Sequence, residues 1–231
     1  MLRNIDYPNF QVGECYAMIV SKRMTANPTT ITSAMTVVDA LQLMRNNKFR
    51  RLPVVDNGKL VGIVTDRDLR EVSASPATSL SVFELNYLLS KMQVKDIMTK
   101  KVMTISVDAA VEEAALVMYN NKIGGLVVVD ANQQVVGILT ETDIFKAFVD
   151  AMGLPQGKTR LSILVPDRLG VVNDISGVFK EQGISMGSFV CYPTDDGQYE
   201  VIIRADINDV KTLTDKLAVL GYPVHHTAHI G

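Results

Sequence analysis

The chain has 231 residues, 47% of them hydrophobic and 21% charged, with a net charge of -2 at neutral pH. That length holds one large domain or two ordinary ones, and the scattered Lys and Arg lack the basic face of an electrostatic nucleic-acid binder. Cys15 and Cys191 are too few for a disulfide framework or a several-thiolate zinc site, and no apolar run approaches the roughly 20 residues of a membrane span. Residues 1–17 lack the basic and apolar regions of a signal peptide, so they read as an N-terminal extension, and Met18 opens the first periodic stretch. A cytoplasmic protein with neither nucleic-acid nor membrane partners is expected.

An internal repeat organises the chain from Met18 to about residue 150. Met24-Thr25 recurs as Met98-Thr99, Thr30-Ile31 as Thr104-Ile105, Asn46-Asn47-Lys48 as Asn120-Asn121-Lys122, and Val54-Val55-Asp56 as Val128-Val129-Asp130. After one extra loop residue in the second copy, Gly62, Ile63, Thr65 and Asp68 meet Gly137, Ile138, Thr140 and Asp143. Two copies are too few for a solenoid and predict a pseudo-symmetric pair packed face to face.

Each copy reads alike. An extended piece (Thr29 to Thr32; Met103 to Ser106) precedes an amphipathic helix. Val37, Ala40, Leu41 and Met44 fall at i, i+3, i+4 and i+7, and Val111, Ala114, Ala115 and Met118 repeat the stripe. Thr36 and Asp39 offer a capping-box start. A strand comes next (Leu52 to Val55; Leu126 to Val129). In the first copy Asp56-Asn57-Gly58-Lys59 then predicts a tight hairpin. Each copy closes with a Gly-x-x-Thr strand and a final helix (Asp66 to Val72; Glu141 to Ala151). Residues 73–80 read as a connector, and a helix through Val82, Leu85, Leu88, Leu89 and Met92 leads into copy two.

The boundaries drawn from this pattern are an extension over 1–17, a paired unit over 18–152 (repeats of about 18–72 and 92–151), a Gly/Pro linker over 153–157, and a second domain over 158–231. In that domain Arg160 to Val165 is a strand. Pro166-Asp167-Arg168-Leu169-Gly170 is a loop, and Val171, Ile175, Val178 and Phe179 line a helix stopped by Gly183. Two more strands run over Ile184 to Tyr192 and over Gln198 to Arg204, the latter with Tyr199, Val201 and Ile203 on one face. Val210, Leu213, Leu217 and Leu220 mark a second helix, and Tyr222 to His226 a last strand. The order βαββαβ is the ferredoxin-like arrangement, so the fold class expected is α/β (α+β).

These residues resemble two families. Met-Thr, Leu-Pro-Val-Val-Asp and Gly-h-h-Thr-x-x-Asp (h, apolar), repeated over 18–150, resemble a pair of CBS motifs, the Bateman module. Asp167-Arg168-Leu169-Gly170 with Asp174-Ile175-Ser176 resembles the Asp-Arg-x-Gly loop of an ACT domain. The order CBS–CBS–ACT is similar to AcuB-type acetoin-utilisation accessory proteins. The resemblance implies a regulator that binds an adenosine-containing ligand (AMP, ADP, ATP or S-adenosylmethionine) between the repeats. It also implies a homodimer, an amino acid at the ACT loop (Asp167, Arg168, Leu169, Gly170) and a regulated partner protein. Carried over, Asp68 and Asp143 accept from ribose hydroxyls, and Thr65 and Thr140 bond the ribose or α-phosphate. Thr30-Ile31 and Thr104-Ile105 contact adenine, while Leu52-Pro53 and Leu126-Val127 wall each pocket.

Each of these sites also has a plainer reading. Thr-x-x-Asp at a helix mouth is a cap, but a cap prefers Glu or Gln at the third position and does not explain Gly62 and Gly137, which suggest a close approach. Arg50-Arg51 in copy one against Gly124-Gly125 in copy two predicts unequal sites, since arginines fork phosphate and glycines supply only room and N–H groups. The Asp167–Gly170 loop is either a carboxylate site at a helix N-terminus or a plain turn. His225, His226 and His229 hold all the imidazole of the chain and read as a solvated tail, with no metal site expected. No P-loop occurs, and no His precedes position 225 to act as a base. The leading expectation is therefore a non-enzymatic sensor. The alternatives are a dimerising scaffold with vacant CBS sites, or a sensor gated mainly at the ACT domain.

Overall fold

The computed structural model describes residues 18–73, 90–154 and 159–229. The N-terminal extension, the connector beyond Ser73, the helix expected through Val82 to Leu89 and most of the Gly/Pro linker lie outside the described residues. The chain separates into two compact units, Met1–Ile144 and Phe145–Gly231, and the helix Glu141–Ala151 spans their division.

Unit one contains both repeats. Repeat one comprises α1 (Val20–Arg23), β1 (Thr25–Ala26), α2 (Val37–Asn47), β2 (Arg51–Asp56), β3 (Lys59–Thr65) and α3 (Asp66–Ser73). Repeat two comprises α4 (Val94–Ile97), β4 (Thr104–Ser106), α5 (Val111–Asn121), β5 (Gly125–Val129), β6 (Val135–Thr140) and α6 (Glu141–Ala151). The helix stripes pack inward: Val37, Ala40 and Met44 are buried in α2, and Val111, Ala114 and Met118 in α5. Thr36 Oγ1 accepts from the Asp39 amide at 3.1 Å, the expected cap of α2. Both amphipathic helices end alike. Lys48 and Lys122 take left-handed φ of 57° and 52°, and Asn47 and Asn121 return their side-chain amides to Leu43 O and Val117 O at 2.9 and 2.8 Å. The repeated Asn-Asn-Lys is thus a helix stop: the Lys takes the αL position after the last turn, and the Asn before it satisfies a carbonyl of that turn.

The β2–β3 hairpin closes through Asn57 (φ 51°) and Gly58 (φ 77°), the type I′ conformation that Asn-Gly favours. In repeat two the longer loop is held by Asp130, whose Oδ1 accepts from the Asn132 and Gln134 amides at 2.9 and 2.8 Å. Leu52, Val54, Val64 and Leu69 are at most 1% exposed, and full burial of one such side chain stabilises by roughly 1.5–3 kcal/mol. The extended piece at Met103 to Ser106 becomes β4, parallel to β5. Its counterpart in repeat one shrinks to a parallel bridge between Ile31 and Val54.

The repeats exchange their leading segments. β1 of repeat one pairs with β6 of repeat two, Thr25 against Ile138 and Ala26 against Gly137; reciprocally, Ile63 bridges Thr99. Val111 N donates to Met18 O at 2.9 Å and Val37 N to Met92 O at 3.0 Å, so each lead segment meets the first turn of the opposite repeat's helix.

Unit two adds β7 (Thr159–Pro166), α7 (Val171–Glu181), β8 (Met186–Pro193), β9 (Gln198–Ala205), α8 (Val210–Val219) and β10 (Val224–His229). The sheet order is β10-β7-β9-β8, antiparallel throughout. Leu161, Ile163, Val201 and Ile203 pack on Ile175, Val178 and Phe179 of α7 and on Leu213 and Leu217 of α8. This is the βαββαβ arrangement expected. Two details differ from the sequence reading. β9 is buried on both faces toward its end, Ile202 and Arg204 as well as Val201 and Ile203. The histidine tail is not frayed, because β10 continues to His229 in register with Thr159.

Candidate functional site

The strand exchange builds a cleft of about 400 Å³ in unit one. One wall is Thr25, Asn27, Pro28 and Thr29, leading into repeat one. A second is Lys48 through Leu52. The third is Gly124, Ile138 and Thr140 through Thr142 of repeat two. Every wall owes its place to an element pairing across the repeats: Thr25 sits opposite Ile138, and the left-handed Lys48 turns the chain out of α2 toward the cleft. The mouth carries the cations Lys48, Arg50 and Arg51 together with Glu141 and the first turn of α6. There Glu141 N donates to Gly124 O at 3.2 Å and Asp143 N to Thr140 Oγ1 at 3.4 Å, so what favours an anion is the cations and the helix dipole.

Both Thr-x-x-Asp pairs close on themselves. Asp68 Oδ2 accepts from Thr65 N and from Thr65 Oγ1, each at 2.8 Å; Asp143 Oδ2 accepts from Thr140 N and Oγ1 at 2.8 and 2.7 Å. Thr65 Oγ1 and Thr140 Oγ1 also receive the Asp68 and Asp143 amides at 3.3 and 3.4 Å. These are capping boxes with Asp in the third place. Each spends one carboxylate oxygen, and the other, Oδ1, is left for a further donor.

The glycines carry a different meaning from the one the sequence suggested. A Cβ on Gly62 would lie 2.4 Å from Met98 Sδ, and one on Gly137 2.1 Å from Met24 Sδ. The close approach they permit is that of a methionine from the opposite repeat, so these glycines are explained by packing alone.

The arginine–glycine contrast is also resolved differently. Arg51 and Gly124-Gly125 meet in one place rather than at separate phosphate ends. Arg51 Nη1 donates to Gly124 O, and a Cβ on Gly125 would sit 1.5 Å from the same nitrogen. Gly125 is therefore the room that the guanidinium occupies. Burial pushes the Arg51 pKa below its usual value; Glu141 opposes the shift, Arg50 adds to it, and Asp66 and Asp143 oppose it. Arg51 is the cross-strand partner of Thr65, and Gly125 of Thr140, so this contact joins the ends of both capped strands.

The other expected contacts scatter. Arg50, Arg51, Leu52 and Thr140 line the cleft, and Thr29 lines it in place of Thr30. Ile31 is 3% exposed and belongs to the core. Its amide donates to Pro53 O at 3.1 Å and its carbonyl accepts from Val55 N at 2.8 Å. Leu126 and Val127 are interior residues of β5, and Ile105 is buried beside them in β4. Thr104 lines a separate cleft of about 470 Å³ with Lys59, Lys100 and Gln134. Asn27, Pro28, Lys48 and Phe49 were missed. The recurrence of Asn-Asn-Lys was the signal that could have pointed to the turn at Lys48, but no sequence signal shows that the segment after Met24 crosses to the other repeat.

In unit two the Asp167–Gly170 loop leads into α7 through Gly170 (φ 91°), with no side chain capping the helix. Leu169 is 97% exposed. Arg168 is already engaged: Nη2 lies 3.1 Å from Asp174 Oδ2 and donates to the Tyr222 hydroxyl, and its guanidinium sits 5.4 Å from the Tyr222 ring centroid. Tyr222 Oη donates to Asp174 Oδ2 at 2.7 Å. Tyr222, buried from the far end of the chain, was not foreseen. Among the described residues no group of three or more His, Cys, Asp and Glu side chains could hold a metal ion, and no helix is long and apolar enough to cross a membrane.

Comparison with known proteins agrees with this architecture. Residues 18–75 and 94–150 match the CBS domain family, and residues 159–221 match the ACT domain family. A CBS domain-containing protein of Dictyostelium discoideum is 34% identical over 136 residues, 58% of this chain and 94% of that protein. A Vibrio cholerae structure named for acetoin utilization (AcuB) is 31% identical, covers 61% of this chain and 96% of its own, and superposes with a TM-score of 0.50. CBSX2 of Arabidopsis thaliana, solved in complex with AMP, is 31% identical over 58% of this chain and 97% of its own, with a TM-score of 0.48. The chain spans less than half the length of several other curated relatives, such as 46% of an uncharacterized Methanocaldococcus jannaschii protein that is 33% identical over 135 residues. Repeat, strand exchange and family match converge: the chain belongs to the CBS-domain family, as a tandem CBS pair followed by an ACT domain.

Proposed function

We propose that this protein is a regulatory sensor that binds an adenosine nucleotide in the cleft between its CBS repeats. The observation that carries the reading is the cleft itself. It has the size of a small-molecule site, an apolar floor at Leu52 and Ile138, cations at Lys48, Arg50 and Arg51, and the N-terminus of α6 opposite them. A flat base suits the floor, and a phosphate suits the cations and the helix end. Asp143 follows the lining residues Thr140 to Thr142 without itself lining the cleft; its Oδ1, not used by the cap, would accept from ribose hydroxyls, and Asp68 would play the same part at the pseudo-symmetric position.

Binding would favour one packing of the pair, in proportion to the ligand's differential affinity for the two states. The signal would pass through a homodimer or the ACT domain to a regulated protein, with an amino acid at the Asp167–Gly170 loop as a second input. Likeness to the Vibrio cholerae protein supports a place in acetoin or related carbon metabolism. The test is thermal denaturation of the purified chain with AMP, ADP, ATP and S-adenosylmethionine. The melting temperature rises with at least one of them by mass action, and the rise is lost in the Asp68→Ala, Asp143→Ala double variant. No rise with any of the four at millimolar concentration overturns the proposal.

A second reading is favoured by the closed capping boxes and by Arg51 lying within the cleft. In that reading the sites are vacant and the pair is an interaction scaffold. It predicts a protein whose stability is indifferent to all four ligands but falls in Arg51→Met, which removes the bond to Gly124 O.

A further inference from the structure

The sheet of unit two carries an unanswered charge. β7 and β9 place Arg160 directly opposite Arg204. Both project from the face opposite Leu161, Ile163, Val201 and Ile203, since successive side chains alternate. Like charges at opposed positions repel. Arg160 is partnered: its Nη1 lies 2.5 Å from Ser162 Oγ and 3.2 Å from His226 Nδ1, and its Nη2 3.8 Å from Glu200. Arg204 differs. It is 4% exposed, and neither its Nε nor its Nη1 has a hydrogen-bond partner among the described residues.

An arginine does not shed its proton to relieve such a position, and a desolvated cation with open donors is among the costliest groups a fold can hold. The neighbouring groups do not relieve it. Glu200, four residues back along β9, receives the Tyr192 hydroxyl and lies 3.8 Å from both Arg160 and His225. Ser188, the partner of Arg204 on β8, gives its hydroxyl to Met152 O at 2.8 Å. Burial and the Arg160 charge both push the Arg204 pKa down. Gly153, buried with φ 68°, lies against Ser188: a Cβ there would meet Ser188 Cβ at 2.8 Å. The position is thus shielded from water, where a charge-assisted hydrogen bond is strongest.

We propose that this face is a binding site for a small oxyanion, a carboxylate or phosphate group that accepts from the open donors of Arg204 and is shared with the Arg160 guanidinium. The site is separate from the CBS cleft and from the Asp167–Gly170 loop.

The test monitors the arginine Nε–Hε resonances of the full chain while inorganic phosphate or sodium acetate replaces sodium chloride at constant ionic strength. One resonance, missing from the Arg204→Gln spectrum, shifts saturably with phosphate, with acetate or with both, and the stronger anion names the class. At ten times the Kd, linkage raises the folding constant about elevenfold. Urea unfolding shows that gain in the wild type and not in Arg204→Gln, and Arg160→Gln weakens the response at least tenfold. If Arg204→Gln does not fold, selective labelling identifies the resonance and the wild-type titration decides. A resonance unmoved by either anion up to about 0.1 M, a hundred times a millimolar Kd, overturns the site. So does one that moves only with protein concentration, which would assign the acceptor to a second copy.

Discussion

Gly137→Ala tests whether the glycines of the two Gly-x-x-Thr strands exist for packing. The added Cβ would lie 2.1 Å from Met24 Sδ, 3.0 Å from Cγ and 3.2 Å from Cε. The shortest of these is about 1.4 Å inside the ~3.5 Å edge of good carbon contact. The methionine must leave its place against β6, and overpacking of this kind costs about 1–3 kcal/mol. Opposing it, Ala in a strand is favoured over Gly by roughly 0.5–1 kcal/mol. The net expectation is a loss of about 1–2 kcal/mol in the wild-type background. With Met24→Ala in place the clash is gone, so the same substitution becomes neutral or stabilising by up to ~1 kcal/mol. Equilibrium urea unfolding of the four proteins in the cycle measures the coupling, expected near 1–3 kcal/mol. Additivity within about 0.5 kcal/mol would refute the packing account and return the glycine to a ligand. Gly62 and Met98 offer the same cycle at the pseudo-symmetric position.

The capping boxes and the ACT loop supply two further measurements. Asp143→Ala removes the acceptor of both Thr140 bonds and lowers the ligand-free stability by about 1 kcal/mol, within the 0.5–2 kcal/mol range of lost caps. Asp143→Asn loses less, because its amide oxygen still accepts from Thr140 N; equal losses in a thermal-denaturation series would contradict the geometry. Burial first, and then the hydrogen bond to Asp174, raise the Tyr222 pKa above its usual value. The neutral phenol is thus the form the fold prefers. That contribution is complete below the unfolded value of about 10 and is lost as pH climbs through the folded one. Urea midpoints should therefore fall above pH ~10 in the wild type and fall less in Tyr222→Phe, which gives up about 1 kcal/mol at neutral pH with its hydrogen bonds. Parallel alkaline slopes in the two proteins would remove Tyr222 from the account.

Local chemistry was legible wherever a residue acts within its own turn or strand. Thr36 and Asp39 cap α2 and Asn57-Gly58 closes its hairpin, because each depends on neighbours a few bonds away. The Thr-x-x-Asp pairs are caps too, the plainer of the two readings and the one that Asp in the third place had argued against. The repeat showed that whatever one copy does, the other repeats, and βαββαβ in the second unit followed from alternation and helical stripes alone. What pattern could not reveal was contact across the repeats. Met24 fills the space beside Gly137, Arg51 lies on Gly125, and Thr25 pairs with Ile138 because the leading segments are exchanged. The same holds for Arg204. In sequence it is one polar residue on an alternating strand; only the sheet sets it against Arg160, shields it from water and leaves its donors without an acceptor. Sequence determines the elements and their caps through short-range bonding, whereas the cleft and the buried cation are decided by strand order, which brings together residues that no local period connects.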